Sequence, residues 1–209
     1  MPALTVKRIL ALALLAAAAG LAAASTGRAE HVTSARESPG TWCGGTRWRL
    51  MTLSDPQRNL VDMHREATSI AAIADRSGPR RAPASRSTPF QRGVWRLRTV
   101  VDRYRIASNG EIVLILYSID SAQYMNAYLP NPRCLGPRAR KRAGMIAARK
   151  QFTSHCPQVT PAWQLLGVTV DLSGVGFWNP NRRTRGALPS GAELRPVTNL
   201  RIVSGCGVG

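Results

Sequence analysis

The stretch from Val94 to Leu129 constrains the fold more than any other part of the chain. Trp95, Leu97, Thr99 and Val101 alternate with Arg96, Arg98 and Val100, which is the period of a half-buried strand. The phase slips at Val101-Asp102, after which Tyr104 and Ile106 take the inward positions, and an extra residue there is what a β-bulge in a sharply bent strand produces. Ser108-Asn109-Gly110 follows, and Asn-Gly accepts positive φ at both central positions of a tight hairpin. Ile112 to Ile119 is an unbroken apolar and aromatic run closed by Asp120-Ser121, and Gln123 to Leu129 alternates again. Three consecutive strands, the first of them kinked, are predicted.

Pro130, Pro132, Gly136 and Pro137 stop that sheet. Arg138 to His155 then carries Gly144 as its one breaker, with Met145, Ala148 and Phe152 on one stripe beside Ile146, so a helix is predicted. Strand character resumes from Trp163 to Val170, runs to Leu172, passes a loop rich in Gly, Asn and Arg, and ends with Glu193 to Val203. Gly174-Val175-Gly176 has no third glycine, following helix or P-loop lysine, so it reads as small residues where two segments cross closely. The order β-β-β-α-β-β predicts a mainly β fold with one helix, a five-stranded OB-like Greek-key barrel over residues 94–209. An α+β sheet with the helix on one face has the same element count.

Upstream, residues 25–75 form an irregular N-terminal extension of short elements around Ser54-Asp55-Pro56, expected to pack on the barrel. Residues 76–93 hold three prolines and five arginines, which reads as a linker or long surface loop with little to bury. At the start of the chain Lys7 and Arg8 precede an uncharged Ala/Leu run from Ile9 to Ala24, with Ala22 and Ala24 before Ser25. That is the layout of a secretory signal peptide over residues 1–24, too short for a spanning helix. The expected location is secreted or extracytoplasmic, with no transmembrane span in the mature chain.

Export lets cysteines pair. Cys43, Cys134, Cys156 and Cys206 allow three connectivities. Cys134–Cys156 across the helix with Cys43–Cys206 joining the chain ends is the preferred one. His31, His64 and His155 stand at no zinc-like spacing from one another or from the cysteines, so no metal and no cofactor is expected.

Thr41-Trp42-Cys43-Gly44-Gly45, Leu53-Ser54-Asp55, Asn59-Leu60-Val61-Asp62, Gly174-Val175-Gly176-Phe177-Trp178 and Ala192-Glu193-Leu194-Arg195-Pro196-Val197 resemble a group of small secreted bacterial proteins without an assigned activity. In that group a His-Gly-Gln stretch follows the Gly-Phe-Trp, and the ending reads Glu-Leu-His-Pro-Val. Here Arg195 stands in place of the second histidine, and Arg182-Arg183-Thr184-Arg185-Gly186 replaces the first stretch. The resemblance implies an OB-like fold and export and no particular chemistry, and the departures weaken the case for a working histidine. A more distant likeness in fold is to staphylococcal-nuclease-like OB domains. There Glu111 and Asp120 occupy places comparable to calcium ligands, but the Asp-Thr-Pro-Glu segment is absent.

Function is read from charge and aromatic placement. The net charge is +18, and of 29 basic residues all but Lys7, Lys141 and Lys150 are arginine, the form that forks onto phosphate and carboxylate. With Met125, Ala127 and Leu129 inward, Tyr124, Asn126 and Tyr128 point outward on the face where OB folds stack ligands. Tyr124 and Tyr128, with Tyr117, Arg96 and Arg98, are the five expected ligand-binding residues. The helix cluster Arg138, Arg140, Lys141, Arg142, Arg149 and Lys150 reads as a solvated face. Asp171 and Glu193 are isolated carboxylates, and no G-x-S-x-G stretch is found. The expectation is a secreted, non-catalytic OB-like binding or envelope-associated module for polyanions, either nucleic acid or an anionic envelope polymer. The alternatives are an extracellular metal-dependent nuclease using Glu111 and Asp120, and a structural or protein-partner module.

Overall fold

The computed structural model describes residues 42–207, so the predicted signal peptide lies outside the described residues. The fold is mainly β. Its strands are β1 (Arg65–Ala67), β2 (Val94–Ile106), β3 (Ile112–Ser118), β4 (Gln123–Leu129), β5 (Gln164–Trp178) and β6 (Ala192–Ser204). Two short helices, α1 (Trp48–Met51) and α2 (Ile70–Ala74), lie in the N-terminal part, and α3 (Arg142–His155) separates β4 from β5.

The six strands form one sheet in the order β1-β2-β3-β4-β6-β5, and an added pairing of β2 with β5 closes the last five into a ring. Closure depends on the predicted kink. The register of β2 against both β3 and β5 shifts between Val101 and Arg103. Within the ring, the first half of β2 pairs with β5 and not with β3, and the second half is shared between β3 and β5, because a bulge bends and twists the strand that carries it. Ring neighbours are antiparallel except β4 and β6, which run parallel where Ala127 faces Leu194. β1 pairs parallel with the start of β2, outside the ring.

The barrel interior is filled by the inward residues of the alternating pattern. Leu97, Val101 and Tyr104 meet Ile112, Leu114, Leu116, Met125, Ala127 and Leu129, and α3 adds Ala148 and Phe152. Each such side chain removed from water contributes about 1.5–3 kcal/mol. The stripe Met145, Ala148 and Phe152 is the buried face of α3, as predicted. The helix starts four residues later than expected, because Arg140 leaves the helical path. Its guanidinium donates to the carbonyls of Arg58, Asn59 and Val61, and its backbone N–H to that of Leu53. Arg149 likewise donates to the carbonyls of Leu129 and Pro130. Two of the six expected surface charges therefore hold segments together.

β5 runs on to Trp178, so Gly174-Val175-Gly176 lies within a strand and the loop predicted to begin after Leu172 starts later. A Cβ on Gly174 would sit 2.9 Å from the Leu194 Cβ, and one on Gly176 would collide with the Phe90 carbonyl. Close crossing is the reason for both glycines, as the sequence reading expected.

Residues 76–93 are irregular but tied down. Arg86 is 1% exposed. Its guanidinium donates to Asp55 Oδ2 through Nε (3.1 Å) and Nη2 (2.8 Å), to the Leu50 carbonyl (2.9 Å) and to the Gln91 carbonyl (3.1 Å). Burial lowers the Arg86 pKa, and Asp55 raises it in part. Phe90 and Trp178 pack nearby as tilted rings with centroids 4.8 Å apart. The expectation that this stretch has little to bury is corrected. Its anchors are single residues, which leave no periodicity.

The preferred disulfide pairing is also corrected. Cys43 joins Cys134, and Cys156 joins Cys206, with Cα separations of 5.7 and 4.5 Å. Cys134 and Cys156 flank α3, a rod of 14 residues rising about 1.5 Å per residue. That length holds its two ends far beyond the ~7 Å limit for a bridge. One bridge instead ties the N-terminal segment to the turn after β4, and the other ties the end of α3 to the end of β6.

Candidate functional site

The outward face of β3, β4 and β6 carries the site. Alternation sends Leu194 into the core and leaves Glu193 and Arg195 on the other face of β6. In the same way Asn126 and Tyr128 leave β4 on its outer side, opposite Ile115 and Val113 of β3. The segment between β5 and β6 and the residues around Cys43 lie over this face. Asn126 and Tyr128 are consequently buried although they point away from the barrel interior.

The β2–β3 turn positions the central carboxylate. Gly110 has φ 77 and is the only residue of the Asn-Gly pair with positive φ, which corrects the expected turn. Asn109 keeps ordinary backbone geometry and uses its side chain instead. Its Oδ1 accepts from the Glu111 backbone N–H at 3.2 Å, and its Nδ2 donates to Glu111 Oε2 at 2.6 Å and to the Cys43 carbonyl. So oriented, Glu111 receives Arg195 as a fork, Nε to Oε1 at 3.0 Å and Nη2 to Oε2. The Arg195 guanidinium lies 4.3 Å from the centroid of the Tyr128 ring and 3.6 Å from Glu193 Oε1. Asn179 donates to Glu193 Oε2 at 2.8 Å.

These groups shift one another. Burial pushes the Glu193 carboxyl up to about 7, opposed by Arg195 and the Asn179 hydrogen bond. Burial pulls the Arg195 pKa down, but Glu111 and Glu193 more than offset it, so the guanidinium stays charged. The Tyr128 hydroxyl is pushed up by burial and by Glu193.

A cavity of about 520 Å³ opens against this network, bounded by Trp42, Ser108, Asn181 and Thr184 and by Arg105 and Arg185. Arg105 and Arg185 lie 4.9 and 6.0 Å from the Trp163 ring centroid. Neither makes an ion pair among the described residues. Arg185 also borders a neighbouring hollow of about 280 Å³ beside Arg103, Ile115 and Tyr124. Arg185 is the residue the two hollows share.

The five predicted ligand-binding residues fall in different places. Tyr117 and Tyr124 lie against each other as tilted rings, with centroids 4.8 Å apart and Tyr124 exposed. Tyr128 is buried beneath Arg195, so its expected exposure is corrected. Arg96 is forked onto Asp171 at 2.9 and 2.5 Å, which lowers the Asp171 pKa chiefly through that hydrogen bond. Arg98 is exposed and borders a small hollow with Tyr117 and Asp120. Glu111 and Asp120 stand at opposite ends of β3, and Asp171 lies apart from Glu193 with Arg96 and Arg201, so neither carboxylate pair converges. No cluster of three or more His, Cys, Asp or Glu side chains occurs among the described residues.

Sequence reading passed over Arg105, Arg185 and Trp163. Arg105 carried a signal, since it alternates outward with Tyr104 after the bulge. Arg185 lies in a loop without periodicity, and only the fold brings it to Trp163. Compared with protein-family models and with curated proteins, the chain matches none.

Proposed function

We propose that this protein is an exported, non-catalytic OB-like module that holds a polyanion, nucleic acid or an anionic envelope polymer, along the outer face of β3 and β4. The ring order β2-β3-β4-β6-β5, with a helix between its third and fourth members in sequence, supports the OB reading. Two disulfides support export, because they persist in oxidising compartments. No described helix is long and apolar enough to cross a membrane.

One observation carries the functional reading. Arg105 and Arg185, which no described acid neutralises, converge on one cavity, and Arg185 also borders the hollow beside Tyr124. Unpaired guanidiniums beside open aromatic rings suit an anionic chain whose groups pack on those rings. Arg96 has its charge taken up by Asp171, so the binding role moves from Arg96 to Arg105 and Arg185.

The test is retention of a labelled single-stranded oligonucleotide and of an anionic polysaccharide across a salt series. For a single strand, log affinity falls with log salt by about 0.7 for each phosphate neutralised. Arg105→Ala and Arg185→Ala each reduce that slope for the oligonucleotide, and Tyr124→Ala weakens binding without changing the slope. Affinity indifferent to salt for both polymers, or unchanged in both arginine variants, refutes the proposal and favours a structural or protein-partner role.

A further inference from the structure

The larger cavity divides its chemistry between floor and rim. A buried acceptor oxygen on its lining, Asn126 Oδ1, has no hydrogen-bond donor among the described residues. Asn126 Nδ2 reaches Thr184 Oγ1 only at 3.4 Å. At the rim the need is reversed: Arg105 and Arg185 lack an acid, and the buried Arg105 Nε has no acceptor. A fitting ligand therefore brings anionic oxygens for the rim and hydroxyl or N–H donors for the floor.

A phosphodiester backbone meets half of this. Its phosphates are acceptors only, and the Glu111 carboxylate on the cavity wall disfavours a close run of negative charge. Base stacking on Tyr128 is blocked, because Arg195 covers that ring. A carboxylated sugar meets both halves. Its acid suits a guanidinium pair, its hydroxyls both donate and accept, and its C–H face can pack on Trp42 at the cavity wall. The volume, about 520 Å³, is in the range of small-molecule sites.

Granting the polyanion-binding role above, on which this rests, we propose that the cavity is a subsite for an acidic sugar unit of an anionic polysaccharide. The carboxylate is held between Arg105 and Arg185, and the ring hydroxyls lie on the wall formed by Asn126, Thr184 and Ser108.

The experiment is calorimetric titration of the full protein at fixed low salt with trigalacturonic acid, its carboxyl-reduced neutral form, and an oligothymidylate of equal charge. Trigalacturonic acid is expected to bind at least about tenfold more tightly than either comparison ligand, the difference that one charge-assisted bidentate contact supplies. Arg185→Ala loses about tenfold for trigalacturonic acid, whereas Arg201→Ala, on an exposed position away from the cavity, changes nothing. Asn126→Leu weakens trigalacturonic acid and leaves the oligothymidylate unchanged, and circular dichroism reports whether each variant keeps its fold. Equal binding of the neutral form overturns the acid subsite. Equal or tighter binding of oligothymidylate overturns the saccharide assignment while leaving the polyanion role standing. No binding of either charged probe removes both.

Discussion

Replacing Arg86 by methionine takes a guanidinium out of a place where water cannot substitute for it. The loss leaves the Asp55 carboxylate, 4% exposed, with the Gln57 N–H as its remaining donor, and strips a partner from the Leu50 and Gln91 carbonyls. Breaking a buried pair on one side costs about 3–5 kcal/mol, because an uncompensated charge stays behind. The two carbonyls add about 1 kcal/mol each where no water enters. About 5–7 kcal/mol is a large share of the roughly 5–15 kcal/mol that holds a typical domain folded. In a chain of this size it lowers the melting temperature by at least about 10–20 °C. Arg86→Lys keeps the charge but not the fork, so it recovers less than half of the loss. The measurement is urea unfolding with disulfides intact, on Arg86→Met, Asp55→Ala and the double variant. Removing both partners abolishes the stranded charge, so the double variant loses clearly less than the sum of the singles. A loss below about 1 kcal/mol for Arg86→Met, or strict additivity, would falsify the view that this pair clamps the proline-rich segment to the barrel.

Other outcomes follow from the same structure. The Glu193 carboxyl sits at about 7 in the folded protein against 4.5 as its ordinary value, so the folded state holds a proton that the unfolded chain has released. Stability from this group is full below about pH 4.5 and declines as pH rises through 7, by roughly 3 kcal/mol at most. Glu193→Gln flattens urea midpoints across that window, and an unchanged decline counts against the assignment. Reduction removes crosslinks spanning 91 and 50 residues, each worth about 4–5 kcal/mol by loop entropy. Peptide mapping of the oxidised protein should recover Cys43 with Cys134 and Cys156 with Cys206, and a 134–156 fragment pair would contradict the fold. Gly176→Ala drives a methyl group into the Phe90 carbonyl and costs about 1–3 kcal/mol, while Gly136→Ala meets open space and costs nothing. Equal thermal shifts for the two would be inconsistent with the close crossing.

What the amino-acid order determined by itself was everything with a short repeat. Alternation found β2, β3 and β4 within a residue at their ends, the slip at Val101 located the bulge, and the stripe Met145, Ala148 and Phe152 identified the face of α3. These signals are local, since a pleated strand or a helix must show its apolar residues at fixed intervals to bury them. Alternation also put Tyr128 and Asn126 on the outer face, but it could not tell that the segment before β6 covers them.

Only the tertiary structure decided which cysteines meet, that Asp55 and Arg86 lie together 31 residues apart, that Asp171 occupies Arg96, and that Glu111 and Arg195 face each other across 84 residues. Pairings of this kind arise from ring closure and loop paths rather than from any interval along the chain. The expected arginine and tyrosine surface was therefore partly right in its face and wrong in its cations, because charge is neutralised by whichever distant side chain the fold delivers.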